Sequence, residues 1–270
     1  MPSSTPPISR PSLEELTARA DYLTRVADVV RRISAARDGI RAVELLQDAT
    51  TRMGAEVSLF GSFVPEDRTG ASYRLLLNCD PQWSTEYEEQ GAYSEDPWLS
   101  HALTSSEPIR GSELTPRSDA QHRVVELAER FGFRSSVIVP APSSGRLTRM
   151  GLLCLGSSTP DFFEGDGYVA FKMVARSVAM EFHEWWLARV RDELITGAAI
   201  DDHDRHLLTL VAAGHSSKEI GRQMTLSTAA VDSRFRRIRE RLDVRSRRAA
   251  SVLAAEYGLI QPPATARSRR

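Results

Sequence analysis

Residues 207–260 read LLTLVAAGHSSKEIGRQMTLSTAAVDSRFRRIRERLDVRSRRAASVLAAEYGLI, and their punctuation divides them into short helices. Ser216 stands three residues before Glu219, and Asp201, just upstream, three before Asp204. Each pair places an N-cap oxygen ahead of a carboxylate that can reach back to it, the spacing that opens a helix. Ser227 announces a third helix, and Gly214 ends the first from the position after its cap. Apolar residues keep helical spacing: Leu207, Leu208 and Val211, then Ile220 and Met224, then Val231, Phe235, Ile238 and Leu242. Only Thr225 and Leu226 separate the second helix from the third, the tight turn of a helix-turn-helix. A fourth helix, Ser246 to Tyr257 and closed by Gly258, brings Ala250, Leu253 and Ala254 to one side. That strip is read as exposed and suited to a dimer contact.

With Val231, Phe235, Ile238 and Leu242 buried, the other face of the third helix presents Ala229, Asp232, Ser233, Arg236 and Arg237, flanked by Arg234 and Arg239. Lys218 on the second helix and Ser227 with Thr228 at the start of the third join this set. Small residues early in a helix permit close approach to a groove, and guanidinium groups fork onto guanine or grip phosphate. The set reads as a DNA-recognition surface. A merely solvated basic helix is the alternative, and the arginines argue against it by coinciding with the helix-turn-helix spacing. Charge agrees: residues 201–270 hold 14 Lys and Arg against 8 Asp and Glu, which leaves 21 against 28 in residues 1–200. Phosphates attract a local cluster of cations, not an average over the chain.

The whole chain, 270 residues at 41% apolar and 26% charged, is long enough for two domains. Its longest apolar runs fall short of a membrane span, and MPSSTPPISR lacks the order of a signal peptide, so a cytoplasmic, membrane-free protein is expected. Cys79 and Cys154 cannot form a disulfide framework or a cysteine zinc site. Residues 1–11 read as a disordered lead-in. Ser12 with Glu15 opens a helix expected to run to about Ala36, and a second spans Ala42 to Met53. Val57–Val64 and Tyr73–Leu77 read as a hairpin around PEDRTGAS. Trp83–Gln90, Pro97–Thr104 and Gln121–Phe131 are helical, and Ser136–Val139 and Met150–Leu155 are strands split by APSSGRLT. A long helix, Gly167–Arg191, follows. This order gives an α/β/α sandwich over 12–193, an antiparallel sheet flanked by helices. Residues 194–200, with Gly197, read as a linker, 201–262 as the small all-α helix-turn-helix domain, and 263–270 as a basic tail.

The run 207–260 resembles the LuxR-type DNA-binding domain, matching its V-A-x-G-x-S-x-K-E-I, its S-x-x-x-V, its R-L-x-V and its terminal G-L-I. Asp204 stands where that family usually has Glu, Ala230 where it has Thr, and Arg234 where it often has His. Upstream, Trp83, Tyr87, Asp96 and Pro97 resemble the W-x3-Y-x8-D-P signature of the quorum-sensing members, whose α/β/α domain binds N-acyl homoserine lactones. Singly, Trp83 and Tyr87 at i, i+4 fit helix packing, and Asp96 before Pro97 fits an N-cap. Together they read as a ligand site. The resemblance implies that Trp83 donates to the lactone carbonyl, Asp96 accepts from the amide, and Tyr87 forms a wall with a hydroxyl.

Departures from the pattern bear on the acyl group. Cys79 stands where many members have a tyrosine, Gly111 where they have a second tryptophan, and Ser136 where they have a glycine. Loss of an indole at Gly111 would open volume for a branched or aryl acyl group, unless Arg110 or another residue closes it. Cys154 is expected to line the acyl tunnel or simply the core. The resemblance further implies a homodimer on a two-fold related DNA site, with possible contact to RNA polymerase, and neither a cofactor nor a metal. A receiver-type regulator would begin with a strand and an acidic pair, and an enzyme would need a motif that is absent here. The runner-up is a regulator of the same build that answers a non-lactone molecule or none.

Overall fold

The computed structural model describes residues 10–63, 73–143, 149–242, 244 and 246–261. The lead-in up to residue 9, the hairpin turn 65–72, residues 144–148 of the second strand loop and the tail 263–270 lie outside them. Two compact units emerge, one formed by residues up to Pro142 with Met150–His183, the other by Ser143–Arg149 with Glu184–Arg270. Among the described residues no helix is long and apolar enough to cross a membrane.

In the first unit α1 (Leu13–Thr17) opens on the expected capping box, Glu15 N–H donating to Ser12 Oγ at 3.2 Å. The helix then stops, and α2 begins afresh at Tyr22–Ile33, where one helix to Ala36 was expected. Leu13 and Tyr22 are both buried, yet nine residues of unbroken helix would set them about 180° apart. The turn at 18–21 lets both face the core. Along α2, Tyr22, Val26, Val29 and Ile33 form one buried stripe, and α3 (Gly39–Met53) starts on Asp38 and ends at Gly54, φ 92°.

The sheet is antiparallel throughout, in the order β2 (Arg74–Asn78), β1 (Val57–Phe63), β5 (Met150–Ser157), β4 (Ser135–Ala141), β3 (Ile109–Arg110). Two-residue β3 shows no alternation in sequence and was not anticipated. Side chains alternate between faces. One face turns Ser58 to Thr50 of α3, 2.5 Å away, and sets Phe60 with its ring centroid 5.7 Å from that of Phe182 on α7 (Tyr168–Ala198). The other face turns Leu59, Phe63, Leu152 and Cys154 toward a core shared with α4 (Gln82–Glu89), α5 (Pro97–Thr104) and α6 (Asp119–Arg130). Helix α7 runs seven residues past Arg191, so the first part of the expected linker is helical up to Ala198.

The second unit holds α8 (Asp202–Ala212), α9 (Ser217–Met224), α10 (Thr228–Arg241) and α11 (Arg247–Glu256). Asp201, Ser216, Ser227 and Ser246 all cap as their side chains suggest. Thr225 takes the left-handed conformation, and Leu226 N–H returns to Gly221 O at 2.8 Å. A Cβ at Gly221 would stand 2.6 Å from Leu226 O, so glycine is what lets α9 and the turn close. The dimer strip expected on α11 is corrected: Ala250 and Ala254 are fully buried in this unit's core, and Leu253 packs against it. An i, i+4 pair of alanines meets neighbouring helices as readily as solvent, and here α8 covers that side.

Candidate ligand cavity and nucleic-acid interface

Between the second face of the sheet and helices α4 and α5 lies a cavity of about 410 Å³. Its floor is hydrocarbon: Leu59 and Gly61 from β1, Leu75 from β2, Leu152 and Cys154 from β5. These residues share a face because successive odd positions of β1 point the same way and pair across it, Leu59 with Cys154 and Gly61 with both Leu75 and Leu152. Phe63 and Tyr73 stack at 5.4 Å along one side, with Tyr93 at 6.3 Å from Tyr73. This volume falls in the range of small-molecule sites.

The helical side adds Trp83, Tyr87 and Asp96, with Ser84 and Glu88 of α4 also on the lining. Trp83 and Tyr87, one turn apart on α4, stack with centroids 4.8 Å apart. Tyr87 Oη donates to Asp96 Oδ2 at 2.6 Å, while Asp96 Oδ1 accepts from Trp98 N–H at 2.7 Å and Leu99 N–H at 3.4 Å. Asp96 is therefore the N-cap of α5 and also lines the cavity. Burial raises its carboxyl above the usual range, against the pull of those hydrogen bonds, and burial likewise pushes the Tyr87 phenol well up. The indole N–H of Trp83 finds no partner among the described residues, although the side chain is only 5% exposed.

Of the expected ligand residues, Trp83, Tyr87, Asp96 and Cys154 line this cavity, and Cys79, Gly111 and Ser136 do not. Cys79 packs against the same core, its thiol pushed up to about 11 by burial and the nearby Asp80. Gly111 opens a short turn against β4, where a Cβ would collide with Ser136 Oγ. Of the two alternatives for this position, opened volume or closure by another residue, the contact corresponds to the second: the serine hydroxyl occupies the side on which a larger residue at 111 would begin. Arg110 turns away, pairing with Glu113 at 3.0 Å and Glu164 at 3.1 Å over the ring of Tyr168. The sheet wall and the Tyr73 and Tyr93 side were missed, although the period-2 spacing of Leu59, Gly61 and Phe63 in the sequence marks the wall.

In the second unit, Thr228 and Ala229 in the first turn of α10, then Arg236 and Arg237, are exposed, as is Lys218 on α9. Ser227 spends its hydroxyl on Ala230 N–H at 3.1 Å. Ser233 is half-buried. Two expected contacts are engaged elsewhere. Asp232 accepts from Arg247 at 2.7 Å, which fastens α10 to α11. Arg234 Nε donates to the buried Asp204 at 2.7 Å and its Nη2 to Asp201 at 2.6 Å, which fastens α10 to the start of α8. Arg241 adds a bond to Ala199 O at 3.0 Å.

Residues 41–184 match the family of the autoinducer binding domain, and residues 202–254 match the luxR family of bacterial regulatory proteins. The HTH-type transcriptional regulator YhjB of Escherichia coli is 36% identical over 55 residues, 20% of this chain. The match covers only 28% of that protein's length. Among solved structures, SdiA in complex with octanoyl-rac-glycerol superposes with a TM-score of 0.67 at 15% identity, covering 89% of this chain and 97% of that one. Escherichia coli SdiA in another structure gives 0.66 at 16% identity, covering 88% and 99%. CepR2 of Burkholderia cenocepacia, described as an N-acylhomoserine lactone dependent LuxR family transcription factor, gives 0.54 at 18% identity, covering 63% of this chain and 99% of that one.

Proposed function

Because this chain belongs to the LuxR-family bacterial regulators that carry an autoinducer-binding domain, we propose that it binds an N-acyl homoserine lactone in the cavity beneath Trp83 and DNA through α9 and α10. One observation carries the ligand reading: Trp83, whose indole N–H has no partner among the described residues, and the Asp96 carboxylate line the same largely apolar space. Such a lactone offers carbonyl acceptors and one amide donor on a hydrocarbon chain. A dry pocket needs few polar groups but needs each matched. Trp83 donates to the lactone carbonyl. Asp96, already accepting from Tyr87, has lone pairs left for the amide N–H. The chain lies along the floor of Leu59, Leu75 and Leu152.

Ligand burial stabilises the folded first unit by RT ln(1 + [L]/Kd), about 2.7 kcal/mol at a hundredfold excess over Kd. The protein then acts as a cytoplasmic homodimer on a two-fold related site, Arg236 and Arg237 of each α10 reaching the DNA and Lys218 gripping its backbone. Transcription changes by contact with RNA polymerase or by occlusion of its site. Calorimetric titration of the full chain with acyl homoserine lactones tests the ligand assignment. Wild type binds at least one, and Trp83→Phe, which removes the donor and keeps an aromatic wall, binds it about tenfold or more weakly. Equal binding by the two proteins refutes the assignment. A second reading is a non-lactone amphiphile, favoured by the octanoyl glycerol that SdiA holds in a fold of this kind.

A further inference from the structure

We infer that Gly61 is the point on the cavity floor where the apolar chain of the bound ligand meets the sheet backbone, and that its missing side chain decides how wide a chain is accepted. The inference rests on reading the cavity as a ligand site. A glycine inside a strand gives up packing and costs backbone entropy, so its presence asks for a cause. Gly61 lies in the middle of β1, paired on both sides. The two usual causes are missing. Its φ is not in the left-handed region, unlike those of Gly54, Gly91 or Gly132. Nor is it pressed by neighbours: a Cβ there would meet only Leu75 Cδ2 at 3.5 Å, an ordinary contact.

The other two described strand glycines behave differently. At Gly151 a Cβ would stand 2.8 Å from the Phe60 ring, and at Gly156 2.6 Å from Phe133. Packing explains both, and neither lines the cavity. Gly61 does line it. Around it the floor is hydrocarbon, Leu59 and Phe63 at i±2 on the same strand and Leu75 and Leu152 on the paired ones. Trp83, Tyr87 and Asp96, with Ser84 and Glu88, come from the helices opposite, and Tyr73 stands to the side, stacked on Phe63. What approaches Gly61 is therefore chain and not head group, and close approach of a ligand is what a strand glycine leaves room for.

The test titrates full-length wild type, Gly61→Ala and Gly61→Val with homoserine lactones whose acyl groups widen from straight to branched to aryl, and with octanoyl glycerol and a branched acyl glycerol. Without ligand both variants are expected to melt no lower than wild type. Beyond any loss they show for narrow straight chains, they lose a further tenfold or more, in order of magnitude about one surplus methylene in an apolar pocket, for the wide ones, and losses equal for narrow and wide groups overturn the inference. Affinities unchanged across the panel overturn the inference and leave the lactone reading standing. Should Gly61→Val fail to fold, Gly61→Ala decides by the same comparison. If wild type takes up acyl glycerols but no lactone, the lactone reading falls, and the inference stands when Gly61→Val loses a branched acyl glycerol by about tenfold more than it loses octanoyl glycerol, and falls when the two losses are equal. Binding of none overturns both.

Discussion

Tyr87 Oη and Asp96 Oδ2 lie 2.6 Å apart inside the first unit, joining the middle of α4 to the first residue before α5. One short bond thus sets the spacing of two helices, shapes the wall of a cavity and leaves a carboxylate buried there. Tyr87→Phe should cost about 1–2 kcal/mol of stability, because it deletes a hydroxyl whose partner then sits buried with one oxygen unpaired. It should also weaken ligand binding by more than the loss of fold explains. Chemical denaturation and titration of the variant check both, and an unchanged midpoint would show that Asp96 recruits another donor.

Burial raises the Asp96 carboxyl above its ordinary value near 3.8. The folded state then holds this proton more tightly than the unfolded chain, so the group's contribution to stability is largest below that ordinary value and shrinks as pH rises through the raised one. Subtracting the thermal midpoints of Asp96→Asn from those of wild type across that acid range should give a difference that falls with rising pH. A rising difference contradicts the assignment.

Gly111 and Ser136 are complementary, since a Cβ on the first would strike the hydroxyl of the second. Gly111→Ala should destabilise the protein by about 1–3 kcal/mol through overpacking. Ser136→Gly should recover most of that loss when combined with it. A double-mutant cycle measures the coupling, and additive effects would deny the contact.

Arg234→Ala should act on the fold before it acts on DNA. Asp204 is buried, and without the guanidinium it loses its close hydrogen bond and keeps only the longer pair with Arg241 at 3.6 Å, a loss of about 2 kcal/mol. The double variant Arg234→Ala with Asp204→Ala should regain part of it. Loss of DNA affinity in Arg234→Ala with an unchanged melting curve would instead return this arginine to the interface.

Arg236→Ala should leave the melting curve unchanged and weaken binding to the cognate site by about 1–3 kcal/mol. If the side chain only meets phosphate, the loss is uniform across sequences and the salt slope falls by about one. No change on any DNA removes it from the surface.

The helix-turn-helix unit was legible almost residue by residue, because caps such as Ser216 and Ser227 and stripes such as Val231, Phe235 and Ile238 are local signals. Where contacts are long-range the reading stopped short. Nothing near Ala18 announces a turn, which follows only from Leu13 and Tyr22 both needing the core. Ala250 and Ala254 on α11 look like a free strip until α8 covers them. Arg234 looks like part of a basic face until its partners, thirty and thirty-three residues upstream, come within 3 Å. In the first unit, Trp83, Tyr87 and Asp96 stood out by their resemblance to a family signature, and their own spacing fitted packing and capping as well. The opposite wall was not, since strands far apart in sequence build it.

A small acyl lactone, if it completes the first unit as proposed, must stabilise the folded protein. The most direct measurement is the thermal midpoint of the full-length protein with and without a panel of straight, branched and aryl homoserine lactones, repeated on Trp83→Phe. At least one lactone should raise the wild-type midpoint, by the equivalent of about 2.7 kcal/mol at a hundredfold excess over Kd, and raise that of the variant far less. Midpoints that stay flat for every lactone, or that rise equally in both proteins, would contradict it.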